Sequence, residues 1–372
     1  MSGSRRLLSQ SAWTIASIEA SPLDAAMKEP FEIAGGSESS VRNALARVTL
    51  SDGTVGWGEG APMAAYNGET QKATLAAMRR VGGRLVGRDL RELRPLLETI
   101  EEQMGFGLGA ARAALGMALS DAWSRRAEVP LRLLFGGCET RLRSDVTVAL
   151  VPPARAFEAA RRIRALGVTT IKIKVGRDAD EDLARVLAVV KAAGRARLIL
   201  DANQGYGPKD SLKLLRRLRA KGIRPALFEQ PAAKDDLDGL AEVQRSGLAP
   251  VAADESAASR GAVLKIARKK AAAFVNIKLM KAGLLEAWDI ALAARAAGLG
   301  LMIGGNVESS LAMSCAAHFA AGLGGFEFVD LDTPLWFKND PMKGVKIKWA
   351  GTYDLAPVRS GIGTMPARDP NP

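Results

Sequence analysis

Histidine is almost missing from this chain: one residue, His318, in 372. That excludes multi-histidine metal sites, and a serine–histidine–aspartate triad unless another base stands in. His318 lies among small residues, Ser314-Cys315-Ala316-Ala317-His318, and reads as a structural residue. Cysteine is nearly as scarce. Cys138 and Cys315 are the two present, with no Cys-x-x-Cys pair and no cysteine–histidine cluster. Neither a disulfide framework nor a zinc site is expected. Tyrosine occurs three times, and no aromatic-interleaved basic patch is visible, so no nucleic-acid partner is expected. No run of about 18 apolar residues suggests a membrane span. The opening MSGSRRLLSQSAW lacks a long apolar segment, so no signal peptide is expected. A reduced, cytoplasmic enzyme is the expectation.

What is abundant is ordinary for a soluble globular protein: 48% hydrophobic and 25% charged residues. The net charge of +12 comes from basic residues spread over helical patterns such as Arg161-Arg162-Ile163-Arg164 and Lys213-Leu214-Leu215-Arg216-Arg217. Such spacing describes solvated helix faces.

Residues 13–60 alternate like antiparallel strands, in runs over Thr14–Ala20, Ala44–Leu50 and Val55–Gly58, with an Asp52-Gly53 hairpin turn between the last two. A Gly/Ser-rich loop over Ile33–Ser40 is expected between the first two. Helical patterns fill 68–127, clearest over Ala110–Trp123. Gly105-Phe106-Gly107-Leu108-Gly109 has the wrong spacing for a dinucleotide loop and follows no strand. From Asp145 the pattern becomes strand, helix, strand, helix, with eight strand cores: Val146–Leu150, Thr170–Val175, Leu198–Asp201, Ala226–Glu229, Val251–Asp254, Phe274–Lys278, Leu301–Ile303 and Phe326–Asp330. The fold class is therefore α/β, a (β/α)8-type TIM barrel preceded by an N-terminal α+β capping domain. We place the capping domain at 1–127, the barrel at 128–343 and a segment returning to the cap at 344–372. Within that last segment a strand is expected over Gly344–Leu355, and a loose tail from Gly361.

Thr170-Ile171-Lys172-Ile173-Lys174-Val175 is a hydrophobic strand carrying two cations on one face. Buried and unpartnered, they would be costly. The next three strands end in acids: Asp201, Glu229 and Asp254. Neighbouring barrel strands bring their C-terminal ends together, and three carboxylates there require a counter-ion. A hard divalent cation, Mg2+, fits three oxygen donors. The following strand ends in Lys278. Lys174 and Lys278 thus flank the acids, where nearby positive charge is expected to depress their pKa and let them act as bases. A substrate carboxylate on the metal would have its α-carbon between two amines, the enediolate left by α-proton loss would be stabilised, and Lys172 would help neutralise its oxygen.

Lys172-Ile173-Lys174, Asp201-Ala202-Asn203-Gln204-Gly205, Phe228-Glu229-Gln230-Pro231, Ala253-Asp254-Glu255-Ser256 and Asn276-Ile277-Lys278 together resemble the muconate-lactonizing subgroup of the enolase superfamily. The resemblance spans nearly the whole chain. It implies Asp201, Glu229 and Asp254 as Mg2+ ligands and Lys174 with Lys278 as the acid/base pair.

Phe328-Val329-Asp330-Leu331-Asp332 sets two acids on one face at the last strand's end, which suits a substrate ammonium. This Asp-x-Asp, and the run from Asn276 to Gly283, resemble the dipeptide epimerases, in which the pair holds the dipeptide's free amino group. That resemblance also implies substrate contacts from Thr147, Gly305 and Asn306. It points to a small-molecule dipeptide substrate, epimerised at its C-terminal α-carbon by two-lysine 1,1-proton transfer, with L-Ala-D/L-Glu one candidate. Relatives acting on Ala-Glu tend to carry an arginine in the loop before the second strand. Gly35, Gly36 and Glu38 stand there instead; Glu32 or Glu38 would favour a cationic or neutral side chain, Arg42 would substitute for the missing arginine, and side-chain preference stays open. Other subgroup reactions remain alternatives: N-acylamino-acid racemase, o-succinylbenzoate synthase and muconate cycloisomerase. So does a basic binding protein without catalysis. Barrels with capping units often associate, which leaves a homo-oligomer open.

Overall fold

The protein is described here by a computed structural model covering residues 11–33 and 36–368. Its first unit is a three-stranded antiparallel sheet of β1 (Ile15–Ile33), β2 (Gly36–Leu50) and β3 (Val55–Gly60). Four helices follow: α1 (Ala64–Asn67), α2 (Gln71–Leu85), α3 (Leu93–Met104) and α4 (Gly109–Arg126). Alternation along β3 decides how they pack. Gly56, Gly58 and Gly60 share one face. A Cβ on them would fall 2.3, 2.0 and 2.5 Å from the carbonyl oxygens of Ala118, Ala114 and Ala110. Those alanines are four apart on one face of α4. A bare strand and a small-residue helix therefore meet backbone to backbone.

β1 and β2 are longer than expected. Of the stretch expected as a loop, Ile33 and residues 36–40 belong to strands, with Phe31 opposite Glu38 and Ile33 opposite Gly36. Ladder hydrogen bonds to a neighbouring strand outweigh the weak β-propensity of Gly and Ser. Gly35 lies outside the described residues.

After the short β4 (Arg141–Arg143), all eight expected barrel strands are present. They are β5 (Val146–Val148), β6 (Thr170–Lys174), β7 (Arg197–Asp201), β8 (Leu227–Glu229), β9 (Val251–Ala253), β10 (Phe274–Lys278), β11 (Gly300–Gly304) and β12 (Phe326–Val329). They pair in sequence order in one parallel sheet. The sheet curls into a TIM-type barrel. At its seam Asp145 N–H donates to Val329 O (2.8 Å) and Thr147 N–H to the Asp332 carboxylate (2.6 Å). Outside run α5 (Pro153–Ala165), α6 (Ala179–Ala193), α7 (Pro208–Ala220), α8 (Leu237–Arg245), α9 (Arg260–Lys269), α10 (Leu279–Ala282), α11 (Leu284–Ala296) and α12 (Ser310–Leu323). In α5, Ala156, Ala160 and Ile163 face inward while Arg155, Arg161 and Arg162 are exposed. Much of the basic excess is therefore solvated helix surface. Among the described residues no helix is long and apolar enough to cross a membrane.

Period two also layers the barrel interior. Ile199, Leu227, Ala252, Met302 and Phe328 form a buried apolar plug. Two residues further along these strands stand Asp201, Glu229, Asp254, Gly304 and Asp330. The polar rim thus rests on a dry floor.

Buried carboxylates dock the cap on the barrel. Glu59 on β3 accepts the Ser309 and Ala312 amides (3.0 and 3.3 Å) at the N-terminus of α12. Glu101 on α3 accepts the Glu286 amide (2.8 Å) in the first turn of α11. Both meet the positive end of a helix.

The C-terminal expectations need correction. Gly344–Leu355 is not one strand. β13 (Met342–Gly344) pairs with β15 (Thr364–Pro366), and β14 (Thr352–Asp354) pairs with β4. Contact with the first unit is made elsewhere, where Lys338 N–H reaches Ala26 O and Ile362 N–H reaches the Asp121 carboxylate. Nor is 361–368 loose: Ile362 and Thr364 are fully buried. The apolar side chain of Ile362 and the ladder to β13 anchor a Gly/Pro-rich sequence.

His318 is structural. Buried in α12, its Nδ1 accepts the Arg132 amide (3.1 Å) and its Nε2 donates to Ile362 O (3.0 Å). Burial pushes its pKa down to about 4. The folded protein refuses a proton that the unfolded chain accepts below about pH 6.5. Its contribution is therefore intact above pH 6.5, falls by roughly 3 kcal/mol as pH drops to about 4, and then levels. As the chain's single histidine, its ring NMR signals should show no titration from pH 7.5 to 5. Melting over that range should lose less stability in His318→Gln than in the wild type.

Candidate active site

Register places the charged residues. Lys174 is opposite Asp201 across β6 and β7, and Asp201 is opposite Glu229 across β7 and β8. Thr147 is opposite Lys172 across β5 and β6. A cleft at this end of the barrel is lined by Thr147, Lys172, Lys174, Asp254, Lys278, Gly305, Asn306, Asp330 and Asp332, with Met63 and Tyr66 from the cap. Asp201 and Glu229 are fully buried and do not line the cleft.

Lys172 ties the cluster together. Its ammonium lies 2.9 Å from Asp201, 2.8 Å from Glu229 and 2.6 Å from Asp330. Lys174 reaches Asp201 (2.7 Å) and Asn203 Oδ1 (2.8 Å). On the other wall Lys278 lies 2.7 Å from Asp254 Oδ2. Burial opposes the charge on Lys172, but Asp201, Asp330 and Glu229 hold its proton affinity well above that of a free lysine. Burial likewise opposes charge on Lys278, and Asp254 and Glu229 outweigh it, so its pKa rises. Its nearest charges within the protein are carboxylates, and their attraction exceeds the repulsion from neighbouring cations.

The carboxylates respond in two ways. Burial would raise Asp201 and Asp254, but Lys172 with Lys174, and Lys278 with Lys281, hold them below the usual range. Burial and the charge of Asp201 push Glu229 up to about 8. At the seam, burial and Asp330 raise Asp332 to about 6 and push Asp145 well above the usual range. Asp145 is buried with no hydrogen-bond donor on either oxygen.

As placed, no three acidic, histidine or cysteine side chains among the described residues form a ready-made metal cluster. The carboxylates are turned onto ammonium groups. Yet Glu229 Oε2 and Asp254 Oδ2 are buried, and each is met by a lysine ammonium, Lys172 (2.8 Å) and Lys278 (2.7 Å). Two such oxygens beside Asp201 make a hard donor set, and Asp201, Glu229 and Asp254 fit a divalent cation in chemistry.

Several positioning residues escaped the sequence reading. Asn276 donates to Glu229 Oε1 (2.6 Å). Gln230 Oε1 accepts the Asp254 and Ser256 amides (2.8 and 3.2 Å). Lys281 grips Asp254, and Tyr66 reaches over from the cap. Lys281 and Gln230 stand inside the quoted motifs, which was the available signal. Asp145 and Tyr66 carried none. The side chain of Glu38 lies outside what is described. Arg42 is exposed and lines, with Lys72, a cavity that adjoins the cleft through Met63, Asn306 and Val307.

A parallel barrel with lysines and carboxylates at its rim is the frame of an acid/base enzyme. The chain belongs to the mandelate racemase / muconate lactonizing enzyme family. Residues 17–136 match that family's N-terminal domain and residues 155–369 the enolase C-terminal domain-like pattern. The aromatic dipeptide epimerase of Herpetosiphon aurantiacus is 44% identical over 93% of this chain and 97% of its own length. The L-Ala-D/L-amino acid epimerase of Populus trichocarpa is 38% identical over 97% of this chain and 87% of its own. The crystal structure of the Enterococcus faecalis dipeptide epimerase with Mg and L-Leu-L-Tyr superposes with a TM-score of 0.90 at 32% identity, covering 94% of this chain and 99% of that one.

Lys172→Met should leave three buried carboxylates short of a cation and lower stability by about 3–5 kcal/mol. Added Mg2+ should recover more of the melting temperature in the variant than in the wild type. Identical melting of the two chains would show that Lys172 does not hold the cluster.

Proposed function

We propose that this protein epimerises dipeptides at the α-carbon of the C-terminal residue by proton transfer between two lysines. One observation carries the reading. Strands β6 and β10, which bear Lys174 and Lys278, are four apart in an eight-stranded barrel. So are β8, bearing Glu229, and β12, followed by Asp330 and Asp332. The lysines thus face each other on one diameter of the rim, and metal-type carboxylates face the ammonium-type acids on another. A substrate laid from β8 to β12, carboxylate to ammonium, has its α-carbon between the lysines.

The residues divide the work. One lysine, unprotonated, takes the α-proton, and the other, protonated, delivers one to the opposite face. Lys172, set between Glu229 and Asp330, balances negative charge at the centre of the cluster. Asp330 and Asp332 receive the N-terminal ammonium. Mg2+, the ion in the Enterococcus complex, would when bound by Asp201, Glu229 and Asp254 neutralise the carboxylates that keep Lys278 protonated and draw charge onto the substrate carboxylate. For the side chain, Arg42 and Lys72 in the adjoining cavity favour an acidic group, so L-Ala-L-Glu belongs among the substrates tested beside aromatic and apolar dipeptides.

In D2O with Mg2+, cognate dipeptides should gain deuterium at the C-terminal α-carbon, read by mass spectrometry. Lys174→Ala and Lys278→Ala should each abolish epimerisation while leaving exchange from one epimer only. N-acetylation should lower kcat/KM at least about tenfold, the equivalent of 1.4 kcal/mol of ammonium recognition. A library in which no dipeptide gains deuterium would sink the reading. Faster turnover of N-acylated substrates would move it to an N-acylamino-acid racemase.

A further inference from the structure

The glycine run 105–109 binds no nucleotide by its spacing, and the reaction above gives it no role. The fold does. Phe106–Leu108 form one 3-10 turn and Gly109 opens α4. A Cβ on Gly109 would fall 2.4 Å from Lys281 O and 2.5 Å from Met280 O. Its φ of −61° is open to any residue, so glycine is needed here for close approach. Arg112, one turn along α4, donates to Ala282 O, and Ala61 N–H points at Met280 Sδ (3.2 Å). The cap thus holds α10, a four-residue helix whose side chains are all buried.

Lys281 extends from α10 into the barrel. Its ammonium donates to Asp254 O (2.5 Å), Asp254 Oδ1 (2.6 Å) and Asn276 O (2.9 Å). Three hydrogens meet three acceptors, so no proton points at a substrate and the group is not a third base. What it does is hold one carboxylate oxygen of Asp254, Oδ1, and leave Oδ2 to Lys278 (2.7 Å).

We propose that Lys281 is a positioning residue that aims Asp254 Oδ2 at the divalent cation, and that Gly109 lets the capping unit hold Lys281 in place. This rests on the reading of Asp254 as a cation ligand. The metal's grip would then depend on the cap being docked, through one lysine whose ammonium is taken up by Asp254 and Asn276.

Calorimetric titration of Mg2+ alone into the substrate-free protein tests it, with circular dichroism and melting to verify folding. Loss of such a supporting partner weakens metal affinity by about 10- to 100-fold, and that range is expected for Lys281→Met. Lys281→Arg, which keeps a buried cation, should recover part of the loss. Gly109→Ala, which changes no polar group, should also weaken binding, whereas Glu101→Gln, at another cap-to-barrel contact, should not. Should Lys281→Met fail to fold, Lys281→Arg and Gly109→Ala carry the comparison. Wild-type affinity in Lys281→Met would overturn the role of Lys281. Equal weakening by Glu101→Gln and Gly109→Ala would overturn the specific link to the cap. Absence of Mg2+ binding by the wild type would instead sink the metal reading, and this role with it.

Discussion

Everything at the rim of this barrel follows from one requirement: buried carboxylates must be balanced by positive charge. The floor of Ile199, Leu227, Ala252, Met302 and Phe328 excludes water from below, so the charges above it are weakly screened. Lys172 meets the requirement most directly, lying against acids from three different strands. The same balance explains why Lys278 holds its proton tightly and why Glu229, less well compensated, is pushed up to about 8. It also gives a divalent cation its place. An ion taking up these carboxylates would replace ammonium groups as their partners and change the basicity of the lysines in doing so.

The scaffold meets this requirement with two simple devices. Period-two alternation sends apolar residues to the floor and charged ones to the rim on the same strands. Helix ends meet carboxylates of the other unit, so that Glu59 and Glu101 seat the cap over the cleft while their burial is offset by amide donors. The backbone-to-backbone packing of β3 on α4 and of α4 on α10 makes the cap a rigid support. Tyr66 and Met63 are thereby brought to a site whose other residues belong to the barrel.

The barrel was legible because each strand and helix announces itself by local period, and all eight strands fall where expected. The rim residues were legible because they recur at strand ends, the places where a parallel barrel gathers side chains. What was illegible depends on neighbours remote in sequence. Asp145 looks like an ordinary residue before a strand until Asp330 and Asp332 are brought over it. Residues 36–40 look like a loop until their strand pairing is seen. Nor could the ion pair of Lys278 with Asp254 be read off the chain, because sequence order shows which charges lie nearby and not which of them touch.

By itself, then, the sequence determined the eightfold alternation, the order of lysine, three acids and lysine around the rim, and the paired acids after the last strand. These are properties of spacing along a chain, and period two or 3.6 converts spacing into direction. The tertiary structure alone decided the contacts. It put Lys172 between two groups of acids, turned Asp254 toward both Lys278 and Lys281, and pressed the glycine at 109 against the helix that carries Lys281. Contacts of this kind join residues far apart in the chain, Arg112 and Ala282 being 170 positions apart, and Coulomb and steric forces depend on distance through space.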